Sequence, residues 1–270
     1  MTRVVLLEGL RPVAASEPVL RADDLGVLRG EAVFETLRIA GGRPAHLAAH
    51  LQRLVLSAAR LDIALPAGFA ELAVAASEGL DDGVLRLVCS KGAPGAGPVG
   101  FAVVTEVPAE TRQAREHGVS AVTLTLGLSA AQRAEAPWLL GGVKSTSYAV
   151  NMASLRAAAA AGAQDAIWLS SDGWVLEAPT ATVVVSVAGE LVSPPASVGI
   201  LAGTTLAVVQ ELVPVAVRPV SAAELAGADE VLLLSSVRGV AAVVELDGRP
   251  LGLGPVGKDL RDRFEATLLR

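Results

Sequence analysis

Apolar and polar residues alternate with two distinct periods in the N-terminal part of the chain. Between positions 33 and 39 they interchange every second residue, which predicts a β-strand that ends at the Gly41-Gly42 turn. Neither face of this strand is purely apolar. That is typical of an edge strand, and it also fits a strand that lines a polar cavity. From 46 to 61, leucine and alanine recur at helical spacing, which predicts an amphipathic helix.

The same two patterns continue through the rest of the chain. Strands are predicted at 4–7, 84–90, 101–107, 119–128 and 230–234, and helices at 67–77 and 206–212. Two hairpins are predicted, 166–169 with 174–177 and 183–187 with 191–192. Another helix is predicted from Ser145 to a stop at Gly162, with Tyr148, Met152 and Leu155 on one face. The polar segment 108–117 has no such pattern, which predicts a linker between two domains.

Composition narrows the class of protein. The chain has 270 residues, 52% of them hydrophobic and 19% charged, which is typical of a compact globular protein. A net charge of -6 argues against a nucleic-acid-binding surface, which needs clustered basic residues. The N-terminal apolar run is too short for a signal peptide, and no segment reaches the length of a membrane span. We therefore expect no membrane partner.

Cysteine and histidine indicate the compartment and the metal content. Cys89 is the only cysteine, so an intrachain disulfide is impossible and a reducing, cytoplasmic location is expected. His46, His50 and His117 lack the cysteines or carboxylates of a structural metal site, and no metal is expected.

Lys144 is the first candidate for chemistry, because lysine is scarce here. The other lysines are Lys91 and Lys258, and arginine carries nearly all the remaining positive charge. Lys144 follows Gly141-Gly142 and stands beside apolar residues, so its ammonium can lose solvation and act as an amine nucleophile. The alternative is a surface lysine in a loop.

Three other features indicate the binding of an anion. Gly203-Thr204-Thr205 opens a predicted helix, Ser236 follows a predicted strand, and Arg53 offers a bidentate guanidinium; together they suit a phosphate. Glu177 is a carboxylate that closes a predicted strand. Each has an ordinary alternative: helix capping, a surface ion pair or a solvated turn.

A lysine for a Schiff base, a carboxylate for a pyridinium nitrogen and a phosphate cradle are the three parts of a pyridoxal-phosphate site. With these parts in this order, the chain resembles the fold-type IV pyridoxal-phosphate enzymes from about Asp24 to Val244. This family comprises branched-chain aminotransferases, D-amino acid aminotransferases and 4-amino-4-deoxychorismate lyases. The resemblance rests on the segments 34–38 (FETLR), 50–54 (HLQRL), Lys144 with Asn151, 172–177 (DGWVLE) and 199–205 (GILAGTT).

The resemblance implies a fold, a cofactor and site residues. The fold is α/β with a small N-terminal α+β domain (1–110), a linker (111–118) and a larger α/β domain (119–270), with pyridoxal 5'-phosphate between the domains of a homodimer. Lys144 is implied to hold the cofactor and to shuttle the proton, and Glu177 to pair with its ring nitrogen. Phosphate binding is implied for Arg53, Thr204, Thr205 and Ser236. The chain departs from the family pattern at Ala178, Thr182 and Leu206, which leaves these cofactor roles intact.

Subfamily features favour one reaction. The loop 91–98 lacks the Arg-x-His carboxylate trap of bacterial D-amino acid aminotransferases, and the tyrosine-rich segments of branched-chain aminotransferases are missing. The chain is most similar to actinobacterial 4-amino-4-deoxychorismate lyases, which implies a lyase that forms 4-aminobenzoate and pyruvate for folate biosynthesis. Arg38, Lys91, Tyr148 and Arg238 are predicted to bind this small-molecule substrate. The alternatives are a class IV aminotransferase that acts on branched-chain or D-amino acids with a 2-oxo acid acceptor, and a non-catalytic pyridoxal-phosphate carrier.

Overall fold

The computed structural model describes residues 2–269 and divides the chain into two compact units. The first unit comprises the chain up to Pro108, Val143–Tyr148 and the residues from Leu268 onward. The second comprises Ala109–Gly142 and Ala149–Thr267. Helices accompany a β-sheet in each unit, which confirms the predicted α/β fold class.

The first unit is built on a six-stranded antiparallel sheet with the strand order β2-β1-β6-β5-β3-β4. Its strands are β1 Arg3–Leu6, β2 Pro12–Val13, β3 Ala32–Ala40, β4 Arg43–Pro44, β5 Asp82–Ser90 and β6 Val99–Glu106. Its helices are α1 Leu25–Arg29, α2 Leu47–Arg60 and α3 Phe69–Ser77.

Successive side chains of β3 point to opposite faces of this sheet. Leu37 and Ile39 are fully buried and share a hydrophobic core with Leu54 of α2 and Leu72 of α3. Burial of these side chains is the main force that holds both helices against the sheet. Glu35 lies on the same face and is also fully buried, so a charged side chain is part of an otherwise apolar layer.

The segment Val143–Tyr148 extends the edge of this sheet at the start of β3. The Phe34 amide donates to Lys144 O at 3.0 Å, and the Thr146 amide donates to Ala32 O at 2.8 Å. The Lys144 amide also donates to Ser57 Oγ of α2 at 3.1 Å. The prediction that a helix starts at Ser145 is therefore wrong, because the backbone of this segment pairs with β3 instead.

The second unit contains the other sheet, in the order β11-β10-β9-β12-β13-β7-β8, with β14 paired to β13. Its strands are β7 Val119–Thr125, β8 Asp165–Leu169, β9 Thr182–Val187, β10 Glu190–Ser193, β11 Ala216–Val217, β12 Glu230–Ser235, β13 Gly239–Leu246 and β14 Arg249–Pro250. Its helices are α4 Ala109–His117, α5 Ala130–Glu135, α6 Ala149–Ala160, α7 Thr204–Leu212, α8 Ala222–Gly227 and α9 Pro255–Glu265.

Parallel and antiparallel pairs are mixed in this sheet. Strand β7 lies parallel to both β8 and β13, whereas β9, β12 and β13 form antiparallel pairs around a core of valine and leucine. Strands β9 and β10 form the second predicted hairpin. The first one exists only in part: 174–177 runs back along β8 through hydrogen bonds between Trp168 and both Leu176 and Glu177, with an isolated bridge in place of a second strand.

One helix lies where the sequence pattern predicts a linker, and another begins later than predicted. Helix α4 covers most of the predicted linker and groups with the second unit, and the domain limits 1–110, 111–118 and 119–270 stay a prediction. Helix α6 begins at Ala149, after Tyr148, and buries Ala158, while Met152 is 44% exposed. The predicted apolar face of Tyr148, Met152 and Leu155 is therefore wrong.

None of the helices in the described part of the chain, 2–269, has both the length and the apolar character needed to cross a membrane.

Candidate active site

The Lys144 side chain in the first unit lies against two aromatic rings. Its Nζ is 4.3 Å from the ring centroid of Phe34 and 5.6 Å from that of Tyr148, and the two rings meet edge to face at 5.2 Å. Phe34 is buried and Tyr148 is half-buried. Aromatic faces attract a cation, so the two rings hold the end of the Lys144 side chain in place. This is a suitable setting for an amine nucleophile.

Arg53 on α2 is held by a buried carboxylate. Its Nε and Nη2 each donate to Glu35 at 2.7 Å, and His50 Nδ1 lies 2.6 Å from Glu35 Oε2. Burial by itself raises the pKa of Glu35, but the hydrogen bonds from Arg53 and His50 outweigh it and lower that pKa to about 2. The pKa of His50 is lowered, mainly by burial. The Arg53 guanidinium is thus fixed in one orientation with 11% of its side chain exposed.

The three cations that are predicted to bind the substrate are all in ion pairs. Arg38 Nε lies 3.0 Å from Asp82, and Lys91 Nζ lies 2.5 Å from Glu31, both in the first unit. In the second unit, Arg238 Nη1 lies 2.8 Å from Asp165, while its Nε and Nη2 are buried without a hydrogen-bond partner among residues 2–269. Each of these cations already has a carboxylate partner of its own chain, and their contact with substrate stays a prediction.

Arg86 on β5 was not among the predicted site residues. It is exposed, and its Cζ lies 5.5 Å from the ring centroid of Phe34, the ring that also contacts Lys144. Arg86 forms no ion pair with any residue from 2 to 269. The sequence could have indicated Arg86, because residues alternate between the two faces of a strand. Arg86 stands between the core residues Leu85 and Leu87 and must therefore face the opposite side of the sheet.

The N-terminus of α7 in the second unit forms a cradle of hydrogen-bond donors. Gly203 precedes the helix and caps it without a side-chain hydrogen bond, and Thr204 and Thr205 are buried in its first turn. Thr204 Oγ1 lies 3.4 Å from Ser236 Oγ, which comes from the turn after β12. A Cβ at Gly203 would collide with Thr182 Oγ1, so only glycine allows this close approach.

Glu177 is tied to the segment that leads into α7. Its Oε2 accepts a hydrogen bond from the Leu201 amide at 3.1 Å, and its Oε1 lies 3.7 Å from Arg133 Nη2 of α5. The chain just after it is also fixed, because Asn151 Nδ2 donates to Pro179 O at 2.6 Å. Glu177 is therefore hydrogen-bonded to Leu201, which lies only two residues before Gly203 at the start of α7.

Each of these groups, taken by itself, suits one part of pyridoxal phosphate. First-turn helix amides and two kinds of hydroxyl are donors, which a phosphate dianion needs, and the helix dipole adds favourable charge. A carboxylate held by a backbone amide suits the ring nitrogen, and the Lys144 amine suits the aldehyde. Within residues 2–269, no cluster of three or more histidine, cysteine or acidic side chains is arranged to hold a metal.

Comparisons with known proteins agree with this chemistry. The family model described as amino-transferase class IV matches residues 32–246. A bifunctional aminodeoxychorismate lyase / D-amino acid transaminase from Mycobacterium tuberculosis is 39% identical over 98% of this chain and 99% of that protein. The solved structure of a hypothetical aminotransferase from Mycobacterium tuberculosis, PLP-bound form, has a TM-score of 0.94 and 38% identity over 99% of both chains. The 4-amino-4-deoxychorismate lyase from Pseudomonas aeruginosa has a TM-score of 0.79 and 28% identity over 98% of both chains.

Proposed function

We propose that this chain, which belongs to the class IV aminotransferase family, is a lyase that converts 4-amino-4-deoxychorismate into 4-aminobenzoate and pyruvate. It is a fold-type IV enzyme, and its cofactor is pyridoxal 5'-phosphate. The observation that carries the proposal is the 39% identity, over nearly the whole chain, with a relative named for this lyase activity. The loop 91–98 supports it, because this loop has no Arg-x-His pair for an amino-acid carboxylate.

The cofactor, when bound, supplies an electron-accepting ring that stabilises negative charge on the carbon next to the substrate's amine. Lys144 would hold the cofactor through its amine, and the same amine, once free, would remove the proton from C4 of the substrate. The bond from the ring to the enolpyruvyl oxygen breaks, and Lys144 returns the proton to the departing enolpyruvate. That product becomes pyruvate, while the ring becomes aromatic.

The remaining residues bind and orient. Glu177 holds positive charge at the ring nitrogen, and its fixed carboxylate needs no reorganisation during the reaction. Arg53, Thr204, Thr205 and Ser236 bind the phosphate. The aromatic pair of Phe34 and Tyr148 flanks the reacting amine and limits access of water to it. We also propose that the enzyme is a cytoplasmic homodimer and that its substrate carboxylates meet cationic side chains near Lys144.

A second candidate function is supported by the same relative. Its name includes D-amino acid transaminase, so transfer of an amino group from a D-amino acid to a 2-oxo acid is the alternative for this chain. The two functions differ in one requirement. The lyase releases both products without a co-substrate, whereas a transaminase needs a 2-oxo acid to accept the amino group.

The acceptor requirement separates the two functions. Purified enzyme loaded with pyridoxal phosphate is given 4-amino-4-deoxychorismate alone, and 4-aminobenzoate and pyruvate are measured. We expect both products in equal amounts, and none from the Lys144→Ala variant under the same conditions. Amino transfer that appears only when D-alanine and 2-oxoglutarate are supplied, with no 4-aminobenzoate in the first assay, would refute the lyase and support the transaminase.

A further inference from the structure

Arg133 on α5 joins the Glu177 carboxylate to the backbone of the segment 199–201. Its Nε donates to Gly199 O at 2.7 Å, and its Nη2 lies 3.7 Å from Glu177 Oε1. The Leu201 amide donates to the other oxygen of the same carboxylate at 3.1 Å. One carboxylate oxygen thus accepts a backbone hydrogen bond, and the other lies at ion-pair distance from the guanidinium.

The stem of Arg133 is held as firmly as its guanidinium. A Cβ at Gly199 would lie 2.8 Å from Arg133 Cγ and 3.1 Å from Arg133 O, so Gly199 packs directly against the arginine. Helix α5 is fixed at its start by a capping box between Ser129 and Gln132. Only 15% of the Arg133 side chain and 13% of the Glu177 side chain are exposed, so water competes weakly for the contact.

An arginine suits this position because its planar fork presents several donors in fixed directions. One edge can reach a backbone carbonyl while another donor faces a carboxylate. A lysine has a single charged nitrogen and cannot satisfy both partners with the same geometry. The two contacts of Arg133 therefore couple the orientation of Glu177 to the path of the chain that leads to Gly203 and α7.

We propose that Arg133 is a positioning residue for the cofactor, which acts through Glu177 by fixing its carboxylate toward the ring nitrogen. The inference rests on the proposed role of Glu177. It adds a residue that is not among those proposed to bind the cofactor directly. Loss of the Arg133 fork removes its ion pair with Glu177 and its hydrogen bond to the Gly199 carbonyl, so the carboxylate is less firmly oriented and holds the ring nitrogen less well.

The test compares Arg133→Met with the wild type in two measurements that do not depend on turnover. The first is the dissociation constant for pyridoxal phosphate, obtained by titration of the apoprotein. The second is the absorbance spectrum of the bound cofactor as a function of pH. We expect cofactor binding to weaken about tenfold, as for loss of one charge-assisted hydrogen bond, and the midpoint of the spectral titration to move. Arg133→Lys should restore binding in part.

A matched control and a second pair of variants separate the possible explanations. Arg156 is an exposed arginine on α6 of the same unit, and Arg156→Met should match the wild type in both measurements. On a Glu177→Gln background, Arg133→Met should add almost nothing, because its effect passes through Glu177. Arg133→Met and Arg133→Lys that both behave like Arg156→Met overturn the inference, even when Glu177→Gln alters the spectrum. A Glu177→Gln spectrum identical to the wild type overturns the proposed role of Glu177 itself.

Discussion

Glu35 and Arg53 form a bidentate ion pair inside the first unit, with 2.7 Å between each donor nitrogen and its carboxylate oxygen. The Glu35 side chain is fully buried, and His50 contacts the same carboxylate at 2.6 Å. A charge in this position is costly unless it is paired. The pair therefore fixes the direction of Arg53, the guanidinium that we propose binds the cofactor phosphate.

Removal of the charge on Glu35 should destabilise the protein strongly. Glu35→Gln leaves the Arg53 guanidinium half-buried beside a neutral amide, and we expect the free energy of unfolding to fall by about 3 kcal/mol. Urea denaturation measures this change. Asp23→Asn is the matched control, because Asp23 pairs with Arg21 at a site where both side chains are more than half exposed, and its urea midpoint should stay near that of the wild type. Equal midpoints for Glu35→Gln and wild type would contradict this account of the pair.

The stability of the protein should fall in acid in two stages. The pKa of His50 is lowered from 6.5 by burial, so the unfolded chain binds a proton first and stability starts to fall below about pH 6.5. The pKa of Glu35 is lowered from 4.5 to about 2, so its contribution is complete above pH 4.5 and is lost as the pH falls toward 2. The free energy of unfolding, measured from neutral pH down to about pH 3, should therefore decrease less in Glu35→Gln than in wild type. Parallel curves below pH 4.5 would show that Glu35 is not the responsible group.

Gly141 should be intolerant of alanine. An added Cβ would lie 2.6 Å from Gly199 O and 3.0 Å from Gly199 Cα, and both contacts are with backbone that cannot rotate away. We expect Gly141→Ala to lower the free energy of unfolding by about 2 kcal/mol. Gly227→Ala is the control, because a Cβ there meets no atom within 4 Å and alanine favours the end of α8. A Gly141→Ala protein as stable as Gly227→Ala would show that the two segments are not packed this closely.

Arg86 should contribute to substrate binding. It is exposed beside Phe34 and has no ion pair in the described part of the chain, so its charge is available for a substrate carboxylate. We expect Arg86→Met to raise KM for 4-amino-4-deoxychorismate about tenfold and to change kcat less. Steady-state kinetics measure both constants. Arg43→Met removes another exposed arginine of the same sheet and should leave KM unchanged; an equal effect of the two substitutions would exclude a specific contact at Arg86.

The local pattern of apolar residues was sufficient to predict the strands and helices in which that pattern has a clear period. Strand β3, helix α2 and the β9–β10 hairpin lie where the alternation of apolar residues predicts them. Helices α4 and α5 were missed because they are polar and each buries a single residue, Ala114 or Ala130, so no apolar stripe marks them. The start of α6 was wrong for a different reason. The hydroxyl-rich run after Lys144 has good capping residues, but pairing with β3 outweighs that local preference.

The sequence likewise indicates some residues of the candidate site and not others. Lys144, Arg53 and Glu177 stand out in the sequence because their neighbours form recognisable segments. The residues that hold these side chains in place do not stand out in the sequence. Glu35 precedes Arg53 by 18 residues, and Arg133 reaches Gly199 across 66 residues, so only the folded chain brings these groups together. Likewise, the ion pairs of Arg38 and Arg238 join residues 44 and 73 positions apart, and the sequence alone shows both arginines merely as available cations.

The most direct test of this account is to find the lysine that carries the cofactor. Borohydride reduction of the holoenzyme makes that attachment permanent, and peptide mass mapping then locates it among Lys91, Lys144 and Lys258. We predict a single pyridoxyl-phosphate adduct on the peptide that contains Lys144, and no adduct in the Lys144→Ala variant. An adduct on Lys91 or Lys258, or a protein that binds pyridoxal phosphate without any reducible attachment, would contradict the assignment of Lys144.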